Sequence, residues 1–547
     1  MSKPRILWCA EASFLHTGYA IYTREVLNRL YATGKYEIAE FSSFGATDTT
    51  DSTGIPWSYY GNLPCNESEQ AEYLSVPTNQ FGEWRFEDVC LDFKPDIVCD
   101  IRDWWMLHHE YKSCFRPFYH WMIMPAIDSD PMQNEWLNSY AHADNIFAYS
   151  EYGKEAVEKQ TSIKIHDVCP PSANPSAFFP VENKALHKSE MGFVDDINII
   201  GTVMRNQKRK LYPDLIQSFK IFHDSYPELA KNTYLYLHVS YPDVGWDIPR
   251  LIYESGISSK ILLTYSCGRC GKSFPGFFVS STVECPDCKT RSASIPNAQM
   301  AINERDLAKI INCFDLYVQY SICEGFGMPQ VEAAYCGVPV MSVDYSAMSS
   351  VVRSIEGEPI KCSLFREMET HTYRAQPDNH DFVNKLAKFM SLPKSVRMKR
   401  GHDTIQKATE QYTRDKTAKK WEEWIDKVDI RDHSDTWDSE SAEFIPPSEL
   451  PDLSLMSNDE YIKWAIVNVL GQPEKVSTLF HLQLLQNLND GYSFNAKVKP
   501  DGRKGMSVFS RNDVLNILYE LRYKYNMWED RRVNGYQKPE FITKAKI

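Results

Sequence analysis

Residues 320–343 read YSICEGFGMPQVEAAYCGVPVMSV, and the reading of this stretch decides the fold. It is entered through a β-type run at 316–320 and turns at Glu324-Gly325-Phe326-Gly327, where two glycines allow backbone geometry that other residues resist. Pro329 suits the first helical position, Gly337 suits a helix C-cap, and Val338-Pro339-Val340-Met341 starts the next strand. A strand, a glycine turn and a helix leave free N–H groups and the positive end of a helix dipole at the carboxyl edge of a sheet. Such an edge is a ready site for a phosphate or a sugar hydroxyl.

Two carboxylates frame the turn, Glu324 at the strand end and Glu332 about one turn into the helix. An acid near a helix N-terminus complements the dipole. That accounts for one carboxylate, but not for a pair set around Gly-x-Gly-x-Pro with a terminal Gly-x-Pro. The whole string resembles the donor-site signature of retaining GT-B glycosyltransferases, the glycogen-synthase-like and sucrose-synthase-like glycosyl transferase group 1 family. The resemblance implies an α/β protein of the GT-B type, with two Rossmann-like domains facing a cleft. It assigns the donor sugar to Glu324 and the nucleotide ribose to Glu332. Sugar and phosphate fall to the backbone of Gly325, Phe326, Gly327 and Met328.

The chain has 547 residues, enough for about two to four domains with real cores. Hydrophobic residues at 43% and aromatics at 13% indicate a well-packed globular protein. No apolar run reaches membrane-spanning length, and Met1-Ser2-Lys3-Pro4-Arg5 leads into a short strand rather than a signal-peptide core. A cytoplasmic protein without a membrane span is expected, in the host cytoplasm if the source is viral. Most of the 14 cysteines stand alone in apolar segments (Cys9, Cys90, Cys99, Cys313, Cys336), so a disulfide scaffold is not expected. The net charge of −13 argues against a surface that attracts polyanions everywhere. Much of the acidic excess lies in residues 429–459, which leaves room for local basic patches.

The first half opens with a buried strand at 5–10 and His16-Thr17-Gly18, after which Tyr19, Tyr22, Val26, Leu27 and Leu30 recur at helical spacing. A strand, glycine turn and helix suit a nucleotide-type half-domain. In the resembled family this turn faces the donor diphosphate, which brings Gly18 into the donor-binding set, a single glycine where relatives often carry a pair. Residues 45–85, rich in Thr, Ser, Gly, Pro and aromatics, read as a long irregular connection. Strands are expected at 97–100 and within 117–124, the second leading to Asp128 ahead of Asp130-Pro131. The resemblance makes Asp128 the candidate to touch the donor sugar or orient the acceptor, with His120 in reserve. His120 lies among aromatics and also reads as a satisfied core histidine. A last strand at 144–153 and a proline-rich crossover at 169–175 divide an N-terminal acceptor domain, 1–172, from a donor domain, 173–430.

In that second domain the strand at 197–203 runs into Arg205, Lys208, Arg209 and Lys210 before a helix at 215–223. Positive charge at a helix N-terminus opposes the dipole, so a nearby anion explains it better than a solvated helix start does. The resembled family keeps an Arg and a Lys here to clamp the donor diphosphate. Arg205 and Lys210 match them by position, with Leu211 where a glycine usually follows. Cys267-Gly-Arg-Cys270 and Cys285-Pro-Asp-Cys288 then interrupt the Rossmann path. Two such knuckles fit a four-thiolate structural zinc site, iron being the other metal such a cage takes, on a ribbon inserted over 264–294. Relatives generally lack it. The resemblance otherwise covers residues 5–428 and ends in a helix at 413–426 carrying Trp421 and Trp424, similar to the one that packs back across the cleft. An acidic linker over 431–455 precedes a C-terminal helical module over 456–547, with helical periods at 461–470 and 514–525 suited to docking or oligomerisation.

The expected function is retaining transfer of a sugar from a nucleotide-sugar donor to an acceptor hydroxyl on a glycan, a small molecule or a protein. Positioning and electrostatics from Arg205, Lys210 and the amides of 325–328 carry the chemistry, cations replacing a catalytic metal. Two other readings use the same residues. One is transfer to hydroxymethylated bases of viral DNA, the ribbon gripping the duplex through Arg269, Lys272, Lys289 and Arg291 against Glu284 and Asp287. The other is an inactive scaffold that binds partners through ribbon and tail. The intact carboxylate pair and cation run speak against the scaffold.

Overall fold

The computed structural model describes residues 3–46, 54–113, 115–194, 197–297, 300–430, 452–471, 473, 476–498 and 504–533. Residues 1–111 and 120–430 form one compact unit, and residues 112–119 and 431–547 a second. The acidic stretch 431–451 lies outside the described residues.

The first unit is built on two sheets. The strands of the first are β1 (Arg5–Glu11), β2 (Glu37–Ala46), β3 (Ser58–Leu63), β4 (Ile97–Asp100), β5 (His120–Ile123), β6 (Asn145–Ala148) and β7 (Asp167–Val168). Their order is β3-β2-β1-β4-β5-β6-β7, and every pairing is parallel. Central β1 is covered on both faces, so its middle reads as a continuous apolar run rather than an alternation; Ile6, Leu7, Trp8, Cys9 and Ala10 are all fully buried.

The stretch 45–85 is more ordered than its composition suggests. It contains the edge strand β3 and a helix at Glu67–Ser75 capped by Asn66. An edge strand need only satisfy one neighbour, and β3 carries a glycine and a buried Asn62 that donates to Asn79 O (2.8 Å) instead of an apolar alternation.

The second sheet has a parallel core, β10 (Ile261–Cys267), β9 (Thr233–Val239), β8 (Asn198–Met204), β14 (Leu316–Gln319), β15 (Val340–Val343) and β16 (Glu358–Ile360), in that spatial order. The inserted ribbon supplies β11 (Ser273–Phe277), β12 (Thr282–Val283) and β13 (Ala293–Ser294). β11 runs antiparallel along β10 from Leu262↔Phe277 to Ser266↔Ser273, so the insertion covers what would be the open edge of the sheet. A hairpin, β17 (Cys362–Arg366) with β18 (Tyr373–Pro377), follows β16.

In both sheets the chain order reverses at one place, between β1 and β4 in the first and between β8 and β14 in the second. Connections leave such a pair toward opposite faces, which opens a crevice at the carboxyl ends of the strands. The helix Arg414–Ile425, which follows the second sheet in the chain, packs back on the first. Its Trp421 is fully buried against Trp8 and Phe147 (ring centroids 4.9 and 4.6 Å) and donates to Tyr22 Oη at 2.7 Å.

The second unit contains the helix Asn458–Ala465, continued by a π-turn at Ile466–Leu470, and the helices Thr478–Asp490 and Arg511–Val533. A two-stranded antiparallel hairpin, β19 (Tyr492–Val498) with β20 (Lys504–Val508), separates the last two helices, so the module is not purely helical. Tyr461, Ile462, Leu470, Leu484, Val514 and Leu518 form its core.

Candidate active site at the cleft between the two sheets

A cavity of about 660 Å³ lies between the carboxyl ends of the two sheets. The first half lines it with Glu11 at the end of β1, Asp103 and Trp104 beyond β4, and Asp128 beyond β5. The second half supplies Arg209 beyond β8, Glu324, Gly325, Phe326 and Met328 beyond β14, and Arg374 from β18.

Glu324 is the centre of the second half's contribution. Its carboxylate is 5% exposed and accepts from Arg209 Nη1 (2.6 Å), Gln319 Nε2 (2.7 Å) and Lys210 Nζ. Burial pushes this carboxyl up, but Lys210 and Arg209 outweigh it and hold it down at about 2. Burial brings the Lys210 ammonium down to about 8 against the pull of Glu324. The backbone creates this meeting. Leu211 N donates to Tyr320 O (3.1 Å) and Ile322 N to Arg209 O (3.0 Å), so the cation loop pairs with the strand end that carries Glu324.

The glycine turn beside it is tightly specified. Gly327 has φ +85, a left-handed conformation, and a Cβ there would sit 2.6 Å from Gln330 Nε2. A Cβ on Gly325 would meet that of Ala126 from the first half at 3.2 Å. Gly327 is the N-cap of the helix Met328–Tyr335, with no side-chain cap. Among the described residues, no hydrogen bond is donated by the amides of Gly325, Phe326, Gly327 or Met328. Unsatisfied amides at a helix N-terminus, beside two cations, form an anion-binding edge.

The remaining residues singled out from the sequence fall in several places. Arg205 is exposed and forks onto Asp243 (2.9 and 3.2 Å) away from the cavity lining, where Arg209 stands instead. Asp128 lines the cavity and accepts from Arg374 Nη1 at 3.0 Å. Gly18 lines it too, at the start of the helix Gly18–Ala32. His120 is the first residue of β5, at the amino edge, and bonds Asn145 Oδ1 at 2.6 Å. Glu332 is 7% exposed, and among the described residues no hydrogen bond reaches its carboxylate. Burial and the charge of Glu304 raise it to about 8, against Arg414.

Several contributors were not singled out from the sequence, Glu11 and Trp136 among them. Arg374 arrives from the β17–β18 hairpin, far along the chain. Asp103 accepts from Tyr19 Oη (3.1 Å), and burial pushes its carboxyl up to about 6. Trp104 stacks on Trp136 (5.4 Å, 26°). The signal available for Asp103 and Trp104 was their place just past the carboxyl end of a parallel strand at a switch point.

The four ribbon cysteines converge. Cys267, Cys270, Cys285 and Cys288 place their sulfurs within 4.8 Å of one another, with Cys267–Cys288 and Cys270–Cys285 both at 3.6 Å. These gaps are too wide for disulfides at about 2.05 Å. They match the edges, about 3.8 Å, of a tetrahedron with sulfurs ~2.3 Å from its centre. Lys272, one of the exposed ribbon cations, pairs with Asp287 at 3.0 Å. A second cluster, Cys9, Asp100 and Glu110, is buried around the guanidinium of Arg102, which supplies the cation those carboxylates need.

No helix among the described residues is long and apolar enough to cross a membrane. Residues 297–411 match the family model of glycosyl transferases group 1. No curated protein sequence matches the chain. Several solved structures share the fold. Sucrose-phosphate synthase from Thermosynechococcus elongatus is 15% identical, with TM-score 0.54 over 78% of this chain and 98% of that one. A glycosyltransferase from Rickettsia africae is 14% identical, with TM-score 0.54 over 78% and 98%. Anabaena HepE, solved with UDP and glucose, is 13% identical, with TM-score 0.52 over 78% and 100%. Residues 297–411 thus match group 1 glycosyl transferases, and the chain shares the GT-B fold of these solved structures.

Proposed function

We propose that the protein transfers a sugar, with retention of anomeric configuration, from a nucleoside-diphosphate sugar held by the second half to an acceptor hydroxyl presented by the first. The observation that carries this reading is the arrangement at Glu324, where a buried carboxylate held by Lys210 from behind and by Arg209 at the cavity wall lies next to the open amides of residues 325–328. The carboxylate suits the hydroxyls of the donor sugar. Arg209 and Lys210 suit the diphosphate, with the amides of Gly325, Phe326, Gly327 and Met328 beside them. Glu332, buried and unpaired, suits the two ribose hydroxyls.

The chemistry then needs little beyond positioning and charge. The acceptor oxygen forms its bond to the anomeric carbon on the face from which the diphosphate departs. The bond from that carbon to the phosphate oxygen breaks, and the acceptor proton passes to the departing phosphate. Charge that develops on the leaving group meets Arg209 and Lys210 in a site partly closed to water, where a single such contact is worth about 3–4 kcal/mol. Asp128 and Arg374, joined across the cleft, fix the distance between the halves. Four thiolates at tetrahedral spacing suit structural zinc on the ribbon, away from the reaction.

A donor-hydrolysis screen over UDP-, GDP- and ADP-sugars tests the reading. Release of free sugar from at least one donor, lost in Glu324→Gln, is expected. Failure to bind or hydrolyse any of the three classes would overturn it.

A further inference from the structure

The charge of the cleft is not evenly shared. On the second half's side, Glu324 is offset by Arg209 and Lys210 together, which leaves a surplus cation next to the open amides. Asp128 is offset by Arg374. Two acids of the first half remain. Glu11 has the hydroxyl of Thr17 as its side-chain partner, and Asp103 has that of Tyr19. Neither hydrogen-bond partner carries charge, and the cation that acts on Asp103, Arg209, belongs to the opposite wall. Among the described residues lining the cavity, the first half contributes no lysine or arginine. Beside these acids lie the stacked indoles of Trp104 and Trp136, and Trp105, which is 40% exposed.

We infer that the acceptor is an uncharged carbohydrate, recognised by its ring face and its hydroxyls, and that phosphorylated sugars are rejected. This rests on the donor assignment above and adds the acceptor class to it. Sugar rings present C–H groups that pack on the negative face of an indole. Carboxylates are acceptors only, and hydroxyls are the neutral donors that satisfy them. A phosphate brought to the same wall meets two acids and no cation of that wall, the nearest being Arg209 opposite, already committed to Glu324, a mismatch that sets specificity more than affinity. The asymmetry also keeps the donor in register, since its diphosphate is drawn to one wall and repelled by the other.

The test uses the full-length protein with whichever nucleotide sugar it hydrolyses. Glucose, maltose and N-acetylglucosamine are offered against glucose 6-phosphate and fructose 6-phosphate, and transfer is followed by mass of the product. At least one neutral sugar is expected to be glycosylated with kcat/KM about tenfold or more above that of any phosphorylated one. Trp136→Ala should raise KM for that neutral sugar about tenfold with a smaller change in kcat, which a loss of folding alone would not produce. Asp103→Asn should narrow the gap between neutral and phosphorylated sugars. Preference for a phosphorylated sugar overturns the inference while leaving the donor assignment standing, because donor hydrolysis is scored separately. So does transfer to hydroxymethylcytosine in duplex DNA with none to any saccharide, or donor hydrolysis with no saccharide accepted. Absence of hydrolysis from every donor would instead strike the reading on which the inference rests.

Discussion

Strands β1 and β14 each border the reversal of chain order in their sheet, and each ends in a turn that opens onto a helix. At the first junction Thr17 caps the helix by accepting from Ala20 N at 3.2 Å. Gly18 there has open space around it and an ordinary φ. At the second junction no side chain caps the helix, Gly327 is locked in the left-handed region, and a buried acid sits between two cations. The local order of strand, turn and helix is shared, so the difference comes from a few residues. A hydroxyl at the cap consumes an amide that a ligand would otherwise take. A left-handed glycine at the cap keeps those amides open and lets the backbone come close to what binds there. One half-domain is therefore built to suit anions in the proposed reading, and its sibling offers spare acids and aromatic rings.

The comparison is most easily broken at Glu324. Glu324→Gln keeps the shape but leaves Arg209 and Lys210 facing a neutral amide. Turnover is expected to fall by about 10²–10³-fold. Stability should fall as well, by an amount on the order of 3–5 kcal/mol, since two cations lose their buried counter-charge. Near wild-type donor hydrolysis in this variant would mean that the second junction is not where the donor reacts.

A smaller effect separates two arginines four residues apart. Arg209→Ala should weaken nucleoside diphosphate binding by roughly 10–100-fold and leave binding of the free nucleoside nearly intact, because its contact is to phosphate. Arg205→Ala removes an exposed pair with Asp243, of the kind that contributes about 1 kcal/mol or less, and should change either affinity by less than about threefold. Calorimetric titration of both variants with both ligands decides the matter. Equal losses in the two would return the clamp to Arg205.

These two arginines also show where the sequence stops being legible. The donor turn could be read because every part of it is local: strand, glycines, proline and helix lie within residues 316–337, and each has its own stereochemical reason. The cation run stood out for the same reason. Which of its members faces the cleft could not be read, since that depends on the pairing of residues 209–211 with 320–322, a contact made across about 110 residues. Arg374 and the Trp104–Trp136 stack were hidden in the same way, each being assembled from distant segments. The edge strand β3 was missed for a different reason. With one neighbour to satisfy, it needs neither an alternating pattern nor a strongly apolar face.

The ribbon allows a control on both junctions, because its four-cysteine cluster stands outside the cavity lining. Cys285→Ser should lower the zinc content of the purified protein from about one ion per chain and lower Tm by roughly 10 °C. Donor hydrolysis measured below that temperature should persist. The reason is the position of β11 along β10, where the knuckles hold the strand that closes the sheet's edge rather than any group that reaches the donor. Purified protein without bound metal, or loss of hydrolysis in a folded variant, would count against this assignment.

The mildest effect is expected at Glu332, and it is a matter of pH. Buried beside the charge of Glu304, with Arg414 only partly compensating, its carboxyl titrates near 8 in the folded chain against 4.5 when free. Between those values the folded state keeps a proton that the unfolded state has released, so this group makes stability fall as pH rises through the window. The slope cannot exceed about 1.4 kcal/mol per pH unit, or a few degrees in Tm across the whole range. Glu332→Gln imitates the protonated form at every pH. The Tm of the variant minus that of the wild type should therefore grow steadily from pH 5 to pH 8.5, and a flat difference would show that the carboxyl is already ionised in the folded protein. Donor affinity should move the other way. If the ribose hydroxyls donate to this carboxylate, binding lowers its pKa, wild-type affinity for the nucleotide improves as pH approaches 8, and the glutamine variant loses that dependence. A protein that is more stable yet binds its nucleotide less well at pH 8 is what a buried acid kept for a ligand should give.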